Sequence, residues 1–200
     1  ALDAIAAEGY DGVIAVMLSG GLSGTYNMVR LLAEERRDLC VRVYDSVSGS
    51  LGVGLTVLQL AEDIQKGASW DYLTEKRTPS LIRNTHPFFS VDTLEYLQKG
   101  GRIGKISAMA GTMLQIKPLI TFAEDGQLRS VAKVRGRQQV IHKLVELTQQ
   151  ALGNGTRYNL AVANGGAPEA METLRAKLTA ALPDYDHLWS GELDGTLSVY

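Results

Sequence analysis

A run rich in glycine, serine and threonine at residues 17–26 supplies the groups in this chain that best suit an anion. It reads Met-Leu-Ser-Gly-Gly-Leu-Ser-Gly-Thr-Tyr, follows an apolar run and precedes a helical pattern, which is typical of a turn between a strand and a helix. The glycines let the backbone turn tightly and approach a ligand closely. Ser23 and Thr25 place hydroxyls where the first N–H groups of a helix are unpaired. The run therefore predicts a seat for a negatively charged group.

The same turn has other interpretations. Capping of an ordinary helix would explain Ser23 alone, but it does not require three glycines, two serines and a threonine within seven residues. Residues 21–25 nearly match the Gly-x-Ser-x-Gly turn of a hydrolase, with Thr25 in place of the second glycine, so an esterase-like enzyme that uses Ser23 is the alternative. A nucleotide loop is disfavoured, because the chain lacks the Gly-x-Gly-x-x-Gly spacing here and no Gly-Lys-Ser/Thr follows.

The groups that a serine hydrolase or a metal enzyme would need are scattered along the chain. The three histidines are His86 in a linker, His142 on the polar side of a helix and His187 at the start of a strand. None of these positions predicts a base for Ser23. Since no histidine lies within four residues of another histidine or of the cysteine, we expect no metal site.

Two groups of basic residues are interleaved with glycine. The first comprises Lys99, Arg102 and Lys105, and the second comprises Lys133, Arg135 and Arg137. Solvated charge is the usual role of such residues, but an arginine beside glycine at the start of a helix suits a planar anion such as a carboxylate or a phosphate. Arg135 is the preferred candidate.

Alternating strand and helix patterns position these groups in the first part of the chain. We predict strands at residues 13–16 and 39–44 and helices at residues 27–37, 57–66 and 70–82, the last with Ser69 as its cap. This order implies parallel βαβ units, in which ligands gather at the carboxyl ends of the strands. The turn at residues 84–87 is the candidate boundary between an N-terminal domain, residues 1–84, and a C-terminal domain, residues 85–200.

The second part predicts a mixed α/β sheet with a β-hairpin. The patterns favour a hairpin with an Asp-Gly turn between residues 118 and 134, a helical turn at residues 94–97 and helices that begin near residues 137 and 168. Further strands are predicted at residues 88–91, 158–163, 187–189 and 196–200. The fold class is therefore a two-domain α/β protein.

The composition fits a packed α/β protein that carries little net charge. The chain has 200 residues, 45% of them hydrophobic, and a formal net charge of −2. Such a balance gives no basic field that would recruit nucleic acid or an anionic membrane. No stretch approaches the roughly 20 apolar residues of a transmembrane helix. The single cysteine, Cys40, cannot form an internal disulfide, which agrees with a cytoplasmic location.

Several runs occur in the order and spacing of the DegV family, and the chain resembles that family over most of its length. The most specific are Leu-Ser-Gly-Thr-Tyr at residues 22–26 and Leu-Glu-Tyr-Leu-Gln-Lys-Gly-Gly-Arg-Ile at residues 94–103. Shorter runs lie at residues 44–46, 116–118 and 133–136.

The resemblance implies a two-domain α/β lipid carrier that holds one long-chain fatty acid in a tunnel. Members act as the fatty-acid-binding subunit of a bacterial fatty acid kinase and present the carboxylate to an ATP-using catalytic subunit, which makes an acyl-phosphate. On this basis the chain is not itself an enzyme and uses no cofactor, the fatty acid being its ligand. A ligand-free interaction domain is a third alternative.

The family's functional residues are carried over by motif. Ser23 would bind the carboxylate, and Arg135 would lie near it or at the surface used by the kinase. The expected carboxylate-binding residues are Ser19, Gly20, Ser23, Thr25 and Arg135. The expected tunnel residues are Leu22, Phe88, Met109, Met113, Ile116 and Ile120, of which the methionines suit irregular apolar space.

The chain departs from the family pattern in three places. The paired serines of the family are Ser19 and Gly20 here, so one hydroxyl is missing. An earlier Thr-Ser-x-Pro-Ser loop would precede Ala1, and we expect the N-terminal part of the natural protein to be absent from this chain. The family motif His-x-Gly-Pro-Gly belongs near the C-terminus, where Tyr200 stands close to the expected histidine.

Overall fold

The computed structural model describes residues 1–109, 116–155 and 157–198, and the chain divides into two compact units. The first unit comprises Ala1–Thr85 together with Glu124–Gly126, and the second comprises His86–Ala123 and Gln127–Tyr200. Three residues of the predicted hairpin turn thus belong to the first unit. Among the described residues, no helix combines the length and the apolar character needed to cross a bilayer.

The first unit is built on a parallel βαβ arrangement. Its elements are α1 (Leu2–Ala7), β1 (Gly12–Met17), α2 (Thr25–Glu34), β2 (Cys40–Asp45) and α3 (Leu51–Gln65). β1 and β2 pair in parallel register from Gly12 opposite Cys40 to Met17 opposite Asp45. The carboxyl ends of both strands therefore lie side by side, with the turn before α2 and the loop before α3 at the same edge.

The helix predicted at residues 70–82 contains a widened segment. Its first turn leads into a π-helix (Tyr72–Arg77), which continues directly into α4 (Thr78–Arg83). Ser69 caps its start, since its Oγ accepts the Tyr72 N–H at 3.3 Å. Pro79 supplies no N–H to the preceding turn, and the Tyr44 hydroxyl instead donates to the Thr74 carbonyl at 2.6 Å. A side chain from β2 thus supplies a hydrogen-bond donor to this irregular part of the helix.

The second unit contains the predicted hairpin and a second parallel strand pair. Its elements are α5 (Glu95–Lys99), a 3₁₀ helix (Gly104–Met109), β3 (Ile116–Phe122), β4 (Leu128–Arg135), α6 (Arg137–Leu152), β5 (Asn159–Asn164), α7 (Pro168–Ala181), β6 (His187–Glu192) and α8 (Gly195–Ser198). β3 and β4 are antiparallel, whereas β5 and β6 are parallel. Both sheet types confirm the α/β fold class. In the described residues they form two separate two-stranded sheets.

The parallel pair of the second unit carries its own apolar core. Leu160 and Val162 of β5 pack with Leu178 and Leu182, at and just after the end of α7. Every second residue of β5 is buried, which matches the period of a strand that covers a core on one face. The apolar residues whose spacing predicted β5 and α7 are thus the ones that pack in this core.

Two predicted strands of the second unit are wrong. Residues 88–91 make only one isolated bridge, in which Phe89 and Ile120 exchange hydrogen bonds of 3.0 and 2.8 Å, because the chain turns at Thr93 into α5. Residues 195–198 form the short helix α8, since Asp194 Oδ1 accepts the Leu197 N–H at 3.3 Å and favours a helical turn. Residues 199–200, including Tyr200, lie outside the described part.

Candidate functional site

The hydroxyls of Ser23 and Thr25 lie together where α2 begins. Ser23 Oγ and Thr25 Oγ1 are 2.8 Å apart, and Ser23 Oγ also accepts the Thr25 N–H at 3.3 Å. Both residues are half-buried, and Gly24, not Ser23, occupies the N-cap position of the ten-residue helix. The bond from the Thr25 N–H to Ser23 Oγ is a capping interaction, and the Thr25 hydroxyl is additional to what capping requires. The pair stands at the positive end of the helix dipole, where anions are favoured.

Ser19 is completely buried and makes hydrogen bonds in several directions. Its carbonyl accepts the N–H groups of Leu22 and Ser23 at 3.0 and 3.1 Å, and its own N–H donates to the Ser48 carbonyl at 2.8 Å. Its Oγ accepts the Gly21 N–H at 3.3 Å and donates to the Gly126 carbonyl at 2.8 Å. Ser19 thus fixes the backbone up to Ser23.

Asp45, at the end of β2, binds the two neighbouring turns. Its Oδ2 accepts the Gly20 N–H at 3.0 Å and its Oδ1 accepts the Val47 N–H at 2.8 Å. A Cβ at residue 20 would stand 2.7 Å from Asp45 Oδ2, so the turn needs glycine for this close approach. The glycine predicted to face the ligand is therefore engaged by Asp45.

The loop after β2 is held in an unusual backbone conformation. Val47 and Ser50 have φ values of 49° and 50°, a region that residues other than glycine rarely adopt. The Ser46 hydroxyl donates to the Ser48 carbonyl at 3.1 Å and accepts the Ser48 N–H at 3.1 Å. Ser46, Ser48 and Ser19 are all buried, so this serine-rich edge is a packed part of the first unit.

The hairpin turn supplies the acceptor for Ser19. Gly126 has a φ of +76°, and a Cβ there would stand 2.2 Å from Ser19 Oγ and 3.0 Å from Gly21 N. Both features require glycine. Sequence reasoning recognised the Asp-Gly turn of the hairpin but gave no sign that it meets Ser19, because 107 residues separate the two positions.

Arg135 ends β4 in the second unit. It is exposed, and Gly136 follows it as the N-cap of α6 with a φ of 83°. This arrangement agrees with the sequence pattern of an arginine beside glycine at a helix start. The predicted proximity of Arg135 to a carboxylate held at Ser23 stays a prediction.

Most of the other basic residues in the two groups have local partners. Lys99 Nζ lies 2.6 Å from Glu95 Oε1, and an Arg102 guanidinium nitrogen donates to the Gly100 carbonyl. Arg137 lies 2.6 Å from Asp92 Oδ2, and Lys117 lies 3.3 Å from Asp92 Oδ1. Burial raises the pKa of the Asp92 carboxyl, but the two cations lower it by more, so that pKa lies below its usual value.

The predicted tunnel residues are distributed over both units. Leu22 is half-buried in the turn before α2, and Phe88 is half-buried near the start of the second unit. On β3, Ile120 is fully buried and Ile116 is 38% exposed. Met113 and the side chain of Met109 lie outside the described part of the chain. The tunnel itself stays a prediction.

The unit that holds Ser23 contains no histidine that could serve the hydrolase alternative as a base. All three histidines belong to the second unit, and the described neighbour of the Ser23 hydroxyl is Thr25. In the residues that the structure describes, no group of three or more His, Cys, Asp or Glu could hold a metal ion. The arrangement around Ser23 is suited to holding an anion by hydroxyl and N–H donors.

Comparison with known proteins gives consistent matches along the chain. The model of a family described as an uncharacterised protein of the DegV family matches residues 1–200. A DegV domain-containing protein of Clostridium acetobutylicum is 37% identical over 194 residues, which make up 97% of this chain and 68% of that protein.

Solved structures agree with the match. One, described as showing fatty acid binding of a DegV family protein from Thermus thermophilus, has a TM-score of 0.88 at 29% identity and covers 99% of this chain and 70% of that one. A fatty-acid-binding DegV family protein from Streptococcus agalactiae has a TM-score of 0.88 at 27% identity, with 99% and 69% coverage. The chain spans about two thirds of the length of each of these proteins. Because the family model matches it from end to end, the chain belongs to the DegV family.

Proposed function

We propose that this chain binds a long-chain fatty acid and holds its carboxylate at the hydroxyl pair of Ser23 and Thr25. The observation that carries the proposal is this pair, 2.8 Å apart at the start of α2. The fatty-acid-binding relatives from Thermus thermophilus and Streptococcus agalactiae support the choice of ligand.

The chemistry of the pair suits a carboxylate. One of the two hydroxyl protons lies between the oxygens, which leaves the other to be donated to a ligand. The N–H groups in the first turn of α2 add donors and a positive potential. Ser19 and Gly20, which we predicted as further ligand groups, are engaged within the protein, so their part in the proposal is to hold the turn.

The expected tail contacts are the apolar residues predicted from the sequence. Leu22 adjoins the hydroxyl pair, and Ile116 and Ile120 lie on β3. We propose that the acyl chain runs along such apolar surfaces, which its burial from water favours by about 0.8 kcal/mol per CH₂ group.

We further propose that the bound carboxylate is presented to an ATP-dependent fatty acid kinase in the cytoplasm. The carboxylate oxygen would attack the γ-phosphorus of ATP, the bond from that phosphorus to ADP would break, and an acyl-phosphate and ADP would result. The partner supplies this chemistry, so the chain acts as a carrier and not as an enzyme. Arg135 is the proposed contact either to the carboxylate or to the kinase.

Fatty-acid affinity tests the seat directly. Loss of a hydrogen bond to a charged group costs about 1.5–3 kcal/mol, so Ser23→Ala should weaken the binding of oleate or palmitate by about 10- to 150-fold. Thr173→Ala removes an exposed hydroxyl from α7 and should leave the dissociation constant unchanged. An unchanged affinity in Ser23→Ala would remove Ser23 from the site.

Two further measurements separate the alternatives. Native mass spectrometry of the purified chain should reveal a bound fatty acid, whereas a chain that neither carries nor takes up oleate or palmitate would be a ligand-free interaction domain. A fluorophosphonate probe labels only an activated serine, so labelling at Ser23 would favour the esterase-like alternative. We expect no labelling.

A further inference from the structure

We propose that Gly126, in the turn between β3 and β4, is a positioning residue for the carboxylate seat and acts on it through Ser19. This inference rests on the proposed fatty-acid binding at Ser23 and Thr25. Gly126 touches no ligand in this proposal. It fixes the shape of the turn that carries the ligand-binding hydroxyls.

Ser19 holds the backbone of the turn that carries Ser23. Hydrogen bonds from Gly21, Leu22 and Ser23 all end on Ser19, the first on its hydroxyl oxygen and the other two on its carbonyl. Ser19, on which these bonds end, is fully buried. The backbone position of Ser23 therefore depends on the position of Ser19.

Gly126 orients the Ser19 hydroxyl. A hydroxyl has one proton to donate, and the Gly126 carbonyl takes it at 2.8 Å. With the proton directed there, the lone pairs of Ser19 Oγ are free to accept the Gly21 N–H at 3.3 Å. The hairpin turn thus determines which way the hydroxyl faces, and Glu124–Gly126 belongs to the same compact unit as the seat.

Residue 126 has no room for a side chain. An alanine Cβ would approach Ser19 Oγ to 2.2 Å and Gly21 N to 3.0 Å. Gly21 N belongs to the backbone of the turn, and Ser19 Oγ could move away only by losing its hydrogen bonds to Gly126 and Gly21. The φ of +76° adds strain of the kind that any L-residue meets there. Gly126→Ala therefore presses on the two residues that shape the approach to Ser23.

A matched variant separates the contact from the backbone strain. Gly67 lies in the same unit and has a φ of +82°, but a Cβ there would meet nothing within 4 Å. Gly67→Ala carries a similar conformational cost without touching the seat. Any change specific to Gly126→Ala therefore reports its contact with Ser19 and Gly21.

The readout is the preference for an acid over an alcohol of the same chain length. Only the acid uses the carboxylate seat fully, whereas both molecules share the apolar tail contacts. We expect the wild-type chain to bind palmitate more tightly than hexadecanol, so the ratio of the hexadecanol Kd to the palmitate Kd should be well above one. Gly126→Ala should reduce this ratio by about tenfold, the loss expected from one charge-assisted hydrogen bond. Gly67→Ala should keep the wild-type ratio. General destabilisation would weaken both ligands alike and leave the ratio unchanged.

Ser19→Ala gives a second test that adds no bulk. It removes the hydroxyl that links Gly126 to Gly21, so it should also reduce the ratio of the hexadecanol Kd to the palmitate Kd. Adding Gly126→Ala to it should reduce that ratio little further. If Gly126→Ala does not fold, a wild-type ratio in Ser19→Ala still overturns the role of Gly126. A wild-type ratio in either folded variant would overturn the role of Gly126 and leave the proposed function standing. A wild-type chain that binds neither ligand would instead overturn the proposed function.

Discussion

Asp45 places a carboxylate beside a turn that we propose receives the carboxylate of a fatty acid. Each of its two oxygens accepts a backbone N–H, one from Gly20 and one from Val47. Both carboxylate oxygens of Asp45 are therefore engaged by the turns that follow β1 and β2. Because both turns bond the same side chain, Asp45 holds them next to each other.

Asp45→Asn tests this bridging role at the level of one atom. The amide of asparagine retains one acceptor oxygen but presents an NH₂ group to the other backbone N–H, so one partly buried hydrogen bond is lost. We expect a loss of about 1–3 kcal/mol in the free energy of unfolding, measured by urea denaturation. Asp11→Asn, an exposed change in the same unit, should stay within about 0.5 kcal/mol of wild type. Equal stability of the two variants would show that Asp45 does not join the turns.

At the scale of elements, Asp92 joins three parts of the second unit. It precedes α5, its Oδ2 lies 2.6 Å from Arg137 at the start of α6, and its backbone carbonyl accepts Lys117 Nζ of β3 at 2.8 Å. Burial raises the pKa of the Asp92 carboxyl, but Lys117 and Arg137 lower it by more. Because the folded pKa lies below the unfolded value of about 3.9, the ion pairs stabilise the fold above that pH.

Asp92→Asn should therefore show a pH-dependent loss of stability. Near pH 7 the variant should be less stable by about 0.2–1 kcal/mol, the range for exposed ion pairs, since both Asp92 and Arg137 are largely exposed. The difference should shrink as the pH falls through the lowered pKa of Asp92, because the wild-type carboxyl is then protonated as well. Urea denaturation from pH 7 to pH 3 measures it, with exposed Asp184→Asn as the control. A difference that is constant with pH would exclude an ionic origin.

Across the whole chain, the sequence predicted what nearby residues determine. The Asp-Gly hairpin, the Ser69 cap and the strand–turn–helix around Ser23 all depend on residues close together, and the structure contains each of them. The predicted strand at residues 196–200 failed because Asp194 supports a helical turn at that end of the chain. The preference of these residues for strand or helix did not by itself show that residues 195–198 would form a helix.

The site was predictable only in part for the same reason. Ser23 and Thr25 were found from their spacing, which fixes two neighbouring hydroxyls at a helix start. The roles of Ser19, Asp45 and Gly126 follow from contacts across 25 and 107 residues, and no periodic pattern reveals such contacts. Sequence spacing thus identified the proposed ligand groups, whereas the residues that hold them required the fold.

Ligand binding should also change the stability of the whole chain. A fatty acid that binds only the folded form raises the free energy of unfolding by mass action. The increase is about 2.7 kcal/mol at a free concentration 100-fold above the dissociation constant. For a chain of this size, each kcal/mol raises the midpoint of thermal unfolding by about 2–4 °C, so the shift should be about 5–11 °C. Thermal unfolding with and without palmitate measures it.

The Ser23→Ala variant turns this shift into a test of where the head group is held. At the same palmitate concentration, a tenfold weaker affinity removes about 1.4 kcal/mol of the ligand's contribution, so the shift should fall by about 3–6 °C. Hexadecanol lacks the carboxylate, and its smaller shift should be nearly the same in the wild type and in Ser23→Ala. If palmitate stabilised both proteins equally, the fatty acid would bind the chain without using the hydroxyl pair at the start of α2.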